Sequence, residues 1–499
     1  MRYRMKPAKT PSLPPQSSSA FRYQEIASRL CAQITAGVYQ ADSRLPSART
    51  LMAQEQVSLT TAVRALRLLE QDGHAYARHR SGYFVRGHSP ETRWNAPVSP
   101  PEETLFDGVP VTVNDLVVDM LGQSAVADIL PLSSAVLADQ LIPQSQLGRV
   151  LATVARRSAA RSAAHASAPG LFELRCGIAR IMNARGVLCG PDDIIITAGD
   201  GAAIECALRL VAKPGDSILI ESPTYFGLLQ AIEMAGMKAV EITTHPQTGI
   251  DIPQLQCAIH ANRNIACVVL NPTLHNPLGY TMACSQRKKV VDWLAMARIP
   301  LIEDDVFHDL YAGDEPVFAM KSYDQQGMVL YCSSFSKVLS PGYRVGWCVP
   351  GRFHRQMMND FLGRNLSISS LPQQVIAEFL RKNYYTPHTA KLRMLFAAQG
   401  HKLVSSIEKH FPAHTHISKP DGGFIYWIQL AKPIDMSQFY AASLSAGISI
   451  APGSIFHASG QCNTAFRICL GQPWSPAIDR AIAMLGTLCT RLSAQQHYP

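Results

Sequence analysis

Five short runs of branched and aliphatic residues recur along the chain: "DIIIT", "SILIESP", "IACVVLNP", "IPLIEDD" and "MVLYCSS". Each breaks off in a polar, proline or glycine corner, and helical periods lie between them. A run that is apolar at every position cannot turn one face to water, so both of its faces must be covered. Short buried strands alternating with helices predict an α/β domain with a mostly parallel sheet, whose functional groups gather just beyond the strand ends. The pattern sets in after about residue 115. At 499 residues and 47% hydrophobic, the chain is long enough for two or three cored domains and is not of the disordered class. No run reaches the ~18–20 apolar residues of a membrane helix, so no membrane partner is expected.

The region before the sheet reads differently. Residues 1–86 hold thirteen Lys/Arg against five Asp/Glu, a net of +8 out of the total +9. A basic head on a near-neutral body points to a polyanionic partner. Residues 1–20, "MRYRMKPAKTPSLPPQSSSA", lack an apolar stretch and read as a basic flexible tail rather than a signal peptide. In residues 21–86, "RYQEIASRLCAQITAGVY" sets Ile26, Leu30, Ile34 and Val38 at helical spacing, closed by Gly37. "LPSARTLMAQEQ" starts a second helix with Ser47 as N-cap. "SLTTAVRALRLLEQDG" gives a third, capped by Ser58 and stopped by Gly73, with Val63, Leu66 and Leu69 turned inward. "AYARHRSGYFV" alternates around Ser81-Gly82 as a hairpin does. Three helices and a hairpin outline a winged helix-turn-helix. Residues 87–115, rich in Pro, Glu and Thr, read as a linker. The twelve cysteines are scattered without metal-ligand spacing, which fits a reducing cytoplasm and no metal.

On "RLPSAR", "VSLTTAVRAL" and "LEQDG…RSGYFV" the head resembles the GntR family of bacterial regulators. The resemblance implies double-stranded operator DNA as partner. It puts Ser58, Thr60, Thr61 and Arg64 at a recognition helix in the major groove, Arg49 near phosphate or base edges, and Arg80 and Gly82 at a wing tip. Small hydroxyls at a helix start suit phosphates, and arginine can read guanine. Leu59 stands where many members carry arginine, so base preference should differ.

In the body, "YCSSFSKVLSPGYRVGW" sets Lys337 among small hydroxyls, with Arg344 seven residues on. A lone lysine is most often a surface residue; a partly desolvated one can form a Schiff base with the aldehyde of pyridoxal phosphate. That cofactor needs contacts at several points, and each has a candidate. Ser334, Ser336 and Arg344 can reach phosphate, as can the amides of Asp200, Gly201 and Ala202 at a helix start. "LIEDDVF" offers a carboxylate, "LHNPLG" offers Asn276 as a donor, and "ESPTYFG" offers Tyr225 as a stacking ring. The order and spacing of these pieces resemble fold-type I aminotransferases across residues 116–499, which implies a smaller α+β subdomain at about 391–499. That resemblance implies Lys337 as the Schiff-base lysine, Asp304 as partner of the pyridine nitrogen, Asn276 on the phenolic oxygen, and Arg467 of "FRICLG" on an effector carboxylate. Asp305, on the opposite side of the strand, should point away.

A GntR-like head on an aminotransferase-like body is the layout of the MocR subgroup of transcription regulators, which this chain resembles over nearly its whole length. The resemblance implies a cytoplasmic, nucleoid-associated homodimer, arranged head-to-tail, sensing pyridoxal phosphate or an amino-acid-like effector. Three departures stand out. Phe307 replaces a tyrosine that would donate to the phenolic oxygen. His165 replaces a tyrosine that reaches the neighbouring subunit. Asp200-Gly201 replaces a small-polar and glutamine pair, so the Asp200 carboxylate should turn outward from the phosphate or weaken binding. Lost donors favour a sensor with weak or absent transamination. Two other readings stay open: a working aminotransferase with a DNA-tethering head, and a dimerisation module whose Lys337 binds nothing.

Overall fold

A computed structural model of the chain describes residues 19–35, 38–39, 43–71, 75–78, 82–85, 106, 108–111, 115–123, 128–157, 164, 166, 168–365 and 367–495. They form two compact units, within residues 1–94 and 95–499.

The first unit holds α1 (Ser19–Thr35), α2 (Ala48–Glu55), α3 (Leu59–Gln71) and an antiparallel hairpin of β1 (Ala75–Arg78) and β2 (Gly82–Val85). Ser47 caps α2 by accepting the Thr50 amide at 3.1 Å, and Ser58 accepts the Thr61 amide at the start of α3 at 3.1 Å. The core joins Ile26, Ala27, Leu30 and Ile34 of α1 to Leu51, Ala62, Ala65, Leu66 and Leu69. Val63 is half-buried instead of inward, because Leu66 and Leu69 set a stripe on which positions 62 and 65 fall and 63 lies at the margin. Val38 is 65% exposed, since α1 stops at Thr35, before the last expected turn. The helix also starts inside the expected 1–20 tail, at Ser19. Residues 43–45 join the hairpin as an edge: Arg44 bridges Phe84, Leu45 N–H donates to Tyr83 O and Val85 N–H to Ser43 O, each at 2.9 Å. The expected stop at Gly73 and the wing-tip pair Arg80-Ser81 lie outside the described residues.

The second unit is built on one large sheet. Its strands are β3 (Val109–Pro110), β5 (Ile195–Thr197), β6 (Ser217–Ser222), β7 (Lys238–His245), β8 (Gly249–Ile250), β9 (Ile265–Leu270), β10 (Leu301–Asp304), β11 (Val329–Ser334) and β12 (Gly346–Val349). Their order is β3-β7-β6-β9-β10-β11-β12-β5, with β8 paired to β7. Strands β7, β6, β9, β10 and β11 are parallel, and β12 runs against both β11 and β5, so β5 shares the common direction. Every residue of β10 and β11 is buried, as runs without a polar face demand. Strand β3 corrects the expected 87–115 linker: Val109 and Pro110 pair with Ala239 and Lys238 on the sheet edge. A two-residue edge strand needs no apolar period, and its proline sits where a ladder donor can be spared.

A smaller antiparallel sheet orders β13 (His416–Ile417), β14 (Ile425–Gln429), β17 (Ala465–Cys469) and β16 (Ala451–Pro452) as β13-β14-β17-β16. The helices Tyr385–His410 and Pro476–Gln495 pack beside each other in the same region. A separate parallel pair, β4 (Leu130–Pro131) with β15 (Ile448–Ser449), ties residues near 130 to this subdomain.

Candidate functional site

Beyond Ser334, the last residue of β11, the chain turns sharply. The Ser336 amide donates to Ser334 Oγ at 3.3 Å, while the Ser336 hydroxyl is buried and meets no hydrogen-bond partner among the described residues. The next residue, Lys337, donates from Nζ to Ala135 O at 2.9 Å and stands 5.8 Å from the centroid of the Phe307 ring. Burial, followed by the nearby Arg467 cation, pushes the lysine below its ordinary range, against the pull of Asp200 and Asp304. A lysine so placed gives up its proton more readily than one in water, which is the state a nucleophilic amine needs.

Asp304 closes β10. Its backbone carbonyl accepts Asn271 Nδ2 at 2.6 Å, and its carboxylate Oδ1 is approached by the Val306 amide at 3.4 Å. Burial raises its carboxyl to about 6, opposed by hydrogen bonding from Asp200 and Val306. Asp305 points the other way, bonded to His308 at 2.8 Å and Tyr331 at 3.0 Å. Burial alone would raise Asp305, but His308, Arg185 and Arg287 together hold it well below the usual carboxylate range.

The turn after β5 carries the third group. Gly199 adopts φ 105°, a conformation that favours glycine, and opens the helix Asp200–Val211. There is no room for a side chain either: a Cβ at Gly199 would come 2.7 Å from Arg344 Nη2. Arg344, exposed and itself left-handed at φ 48°, donates to Ala198 O at 3.1 Å, beside the same turn. The first-turn amides of Asp200, Gly201 and Ala202 have no acceptor within the helix by its geometry. Of the two outcomes expected for the Asp200 carboxyl, an outward turn or weakened binding, the outward turn does not occur. The carboxyl faces Asp304 within hydrogen-bonding reach, and burial and that neighbour raise it well above the carboxylate range. A sequence displays the helix start that a phosphate would meet but not the inward side, where a second carboxyl stands close enough to share a proton.

Tyr225 leads into the helix Phe226–Met234, its ring lying over Gly227, where a Cβ would meet it at 2.5 Å. Burial raises its hydroxyl, and Arg467, Asp304, Asp200 and Arg344 all act on it, so these residues share one locality. Arg467 on β17 is 1% exposed, donates to Asn276 Oδ1 at 2.8 Å and Ser133 O at 2.5 Å, and lies 4.9 Å from the Phe456 ring centroid. Its Nε is buried without a partner among the described residues. The Asn276 amide is held by Asn271 Oδ1 at 2.7 Å. Sequence reasoning missed Asn271, Phe456 and the carbonyls of Ser133 and Ala135. The doubled asparagine of "NPTLHNPLG" was a usable signal for Asn271, whereas backbone carbonyls leave none. His165 lies outside the described residues.

In the first unit, the Ser58 hydroxyl also meets those of Thr60 and Thr61 at 3.0 and 2.8 Å. Arg49, Ser58, Thr60 and Arg64 are exposed, and the Arg64 guanidinium lies 4.6 Å from the Tyr23 ring centroid. Gly82 begins β2 at φ 96°, with the Arg44 guanidinium 3.5 Å from where its Cβ would stand. Exposed Arg44 therefore adds a cation at the turn end of the hairpin that sequence reading did not single out.

Comparison with known proteins joins the two units. The profile of aminotransferase class I and II matches residues 135–485, and that of bacterial regulatory proteins of the gntR family matches residues 22–85. The HTH-type transcriptional regulator YdcR of Escherichia coli K12 is 34% identical, covering 94% of this chain and 98% of its own. The chain belongs to the MocR subgroup of GntR-family transcription regulators. Another relative of this MocR-type chain is NorG of Staphylococcus aureus, 26% identical over 83% of the chain and 92% of NorG. Among solved structures, the multiple substrate aminotransferase of Thermococcus profundus matches with a TM-score of 0.71 at 22% identity, over 77% of this chain and 96% of that one. The kynurenine aminotransferase of Pyrococcus horikoshii, solved in complex with PMP, gives 0.71 at 23% identity, over 76% and 95%. These likenesses show the fold-type I aminotransferase fold, in a family that typically binds pyridoxal phosphate, and the GntR head implies DNA binding. No helix among the described residues is long and apolar enough to cross a membrane. No cluster of metal-ligating side chains occurs among them.

Proposed function

We propose that this MocR-type regulator binds operator DNA through residues 21–86 and senses pyridoxal phosphate, together with an amino-acid-like or pyridoxal-related effector, through its aminotransferase-like body. The observation that carries the reading is the shared locality of the Lys337 amine, the Asp304 carboxyl and the Arg467 guanidinium on a chain with a GntR head. The donor set fits the cofactor. The buried Ser336 hydroxyl has no partner among the described residues, and it lies on the loop that also carries Lys337 and leads to Arg344. Solved relatives of the fold hold PMP in one case and N-(5'-phosphopyridoxyl)-L-leucine in another.

In this reading Lys337 is the amine joined to the cofactor, and bound pyridoxal phosphate supplies an aldehyde on an electron-withdrawing ring. Asp304 holds the pyridine nitrogen. Ser334, Ser336, Arg344 and the amides of Asp200, Gly201 and Ala202 hold the phosphate. Asn276 donates to the phenolic oxygen and Tyr225 stacks on the ring. Phe307 contributes an apolar wall but no hydroxyl, which favours sensing over rapid turnover. Arg467 takes the effector carboxylate in exchange for its bond to Ser133 O. On the head, Arg49, Ser58, Thr60, Thr61, Arg64, Arg80 and Gly82 face the operator, and a homodimer, head-to-tail, presents two heads to it.

The experiment is footprinting on the region upstream of its own gene, with and without pyridoxal phosphate, alongside visible absorbance of the purified protein. A coloured protein whose footprint changes with cofactor is the expected result. Steady transamination with 2-oxoglutarate at ordinary enzyme rates, ~1–10³ per second, would favour the enzyme reading. Absence of specific DNA binding under both conditions rejects the proposal.

A further inference from the structure

Asp200 brings a second carboxyl into the site. It stands within hydrogen-bonding reach of Asp304, and its Oδ1 is buried without a hydrogen-bond partner among the described residues. Lys337 after β11, Cys332 on β11, Cys348 on β12 and Tyr225 ahead of its helix act on the pair, and Asp305 adds its negative charge from the opposite side of the β10 end. Two carboxylates in contact inside a protein repel too strongly for both to ionise, so one proton stays between them. The Val306 amide approaches Asp304, which marks Asp304 as the acceptor and Asp200 as the acid.

We propose that Asp200 is a positioning residue: as a neutral acid it donates to Asp304 and keeps Asp304 an oriented carboxylate for the cofactor's pyridine nitrogen. The proposal rests on the cofactor reading given above. A pair carrying one negative charge matches one pyridinium, and the phosphate at the start of the helix Asp200–Val211 meets an acid in place of an anion. The aspartate that looked hostile to phosphate from sequence thereby becomes compatible with it.

The pair makes cofactor affinity fall on both sides of neutrality. Asp304, raised to about 6, is neutralised as pH falls through that value, and its grip on the pyridine nitrogen is lost. Toward alkaline pH the pair loses its shared proton and presents a second charge beneath the phosphate, costing up to about tenfold in affinity per pH unit. Asp200→Asn keeps a donor that cannot ionise. Asp200→Ala removes the donor.

Two measurements on full-length protein test this. Carbon-13 NMR of aspartate-labelled, cofactor-free protein should show, above the Asp304 step near 6, a further carboxyl titrating still higher in the wild type, and that higher step should be missing in Asp200→Asn. Absorbance titration with pyridoxal phosphate, from about pH 5.5 to 9.5, should show the alkaline loss in the wild type, its absence in Asp200→Asn, and an acid limb moved to higher pH in Asp200→Ala. No high-titrating carboxyl, or three superimposable affinity profiles, overturns the proposal. A high-titrating carboxyl in a protein that takes up no pyridoxal phosphate leaves the shared proton standing and overturns the cofactor reading instead.

Discussion

In the head, charged side chains lie outside a small core of leucine, isoleucine, valine and alanine: Arg44, Arg49, Arg64 and Arg67 are all exposed. In the body, charges go inside: Arg287 and Arg467 are among its largest fully buried side chains, and Glu303 and Asp305 are fully buried. An exposed guanidinium keeps its water and its freedom, and its worth appears when a polyanion displaces counterions. A buried one has lost its water, so it persists only with fixed partners, and those partners also orient it for a small ligand. The two regions should therefore fail differently when a charge is removed. Head substitutions should change affinity and leave the fold alone; body substitutions should reach the fold, the ligand, or both.

The largest effect expected is all-or-none. Lys337→Ala should abolish the visible absorbance of protein-bound pyridoxal phosphate, and retained colour would break the comparison at its centre. The fold should not suffer. Burial depresses the Lys337 pKa, so between its folded value and the ordinary lysine value the unfolded chain binds up to one proton more than the native one. Native stability therefore rises as pH climbs from the folded value toward 10.5, and Lys337→Ala should lack that rise in urea melts at neutral and alkaline pH.

Arg287→Met comes next and acts on the fold. The guanidinium donates to Met282 O at 2.8 Å, Phe318 O at 3.0 Å, Pro272 O at 2.6 Å and Thr273 Oγ1 at 3.0 Å. A methionine of similar volume fills the space but strands those acceptors, for a loss of about 3–5 kcal/mol of body stability. Denaturant melts should show it, and operator affinity measured in the cold should stay unchanged. A parallel loss in the head would show that the two regions do not fail separately.

How much of this was legible follows from the same division. The strands β6, β9, β10 and β11 could be read because a run buried on both faces has no polar positions to hide it. The placement of Lys337, Asp304, Ser336 and Arg344 at or beside strand ends could be read because strand-end motifs keep chemistry and spacing together, while their roles there remain the proposal made above. The inward turn of Asp200 could not, since it depends on the positive φ of Gly199 and on a neighbour a hundred residues away on β10. Nor could the hold of Ser133 and Ala135 on Arg467 and Lys337, which is made by carbonyls that any residue would supply. Strand β3 hid inside a proline-rich stretch because two residues carry no period. In the head, Val63 looked apolar enough for the core, but the stripe set by Leu66 and Leu69 selected two alanines.

Arg64→Ala tests the head's side of the comparison at smaller scale. Operator affinity should fall by about 1–3 kcal/mol for a base contact. A phosphate contact would instead lower the salt dependence of binding by about one unit of slope. The thermal midpoint should barely move, because exposed substitutions stay within about 0.5 kcal/mol. A marked drop in head stability would mean that the stack of Arg64 on Tyr23 holds the fold together, and would blur the contrast with the body.

The smallest effect is the most discriminating, because it separates fold from affinity at one residue. Ser58 accepts the Thr61 amide at the start of α3, so Ser58→Ala should cost about 1 kcal/mol and speed hydrogen exchange in that first turn. Ser58→Asp should restore the cap, since aspartate is as good an N-cap as serine and its charge suits a helix start. It would also place an anion where the operator's phosphates are expected, so stability should recover while DNA affinity falls further. If affinity recovers together with stability, the hydroxyl was only a cap, and the start of α3 faces away from the operator.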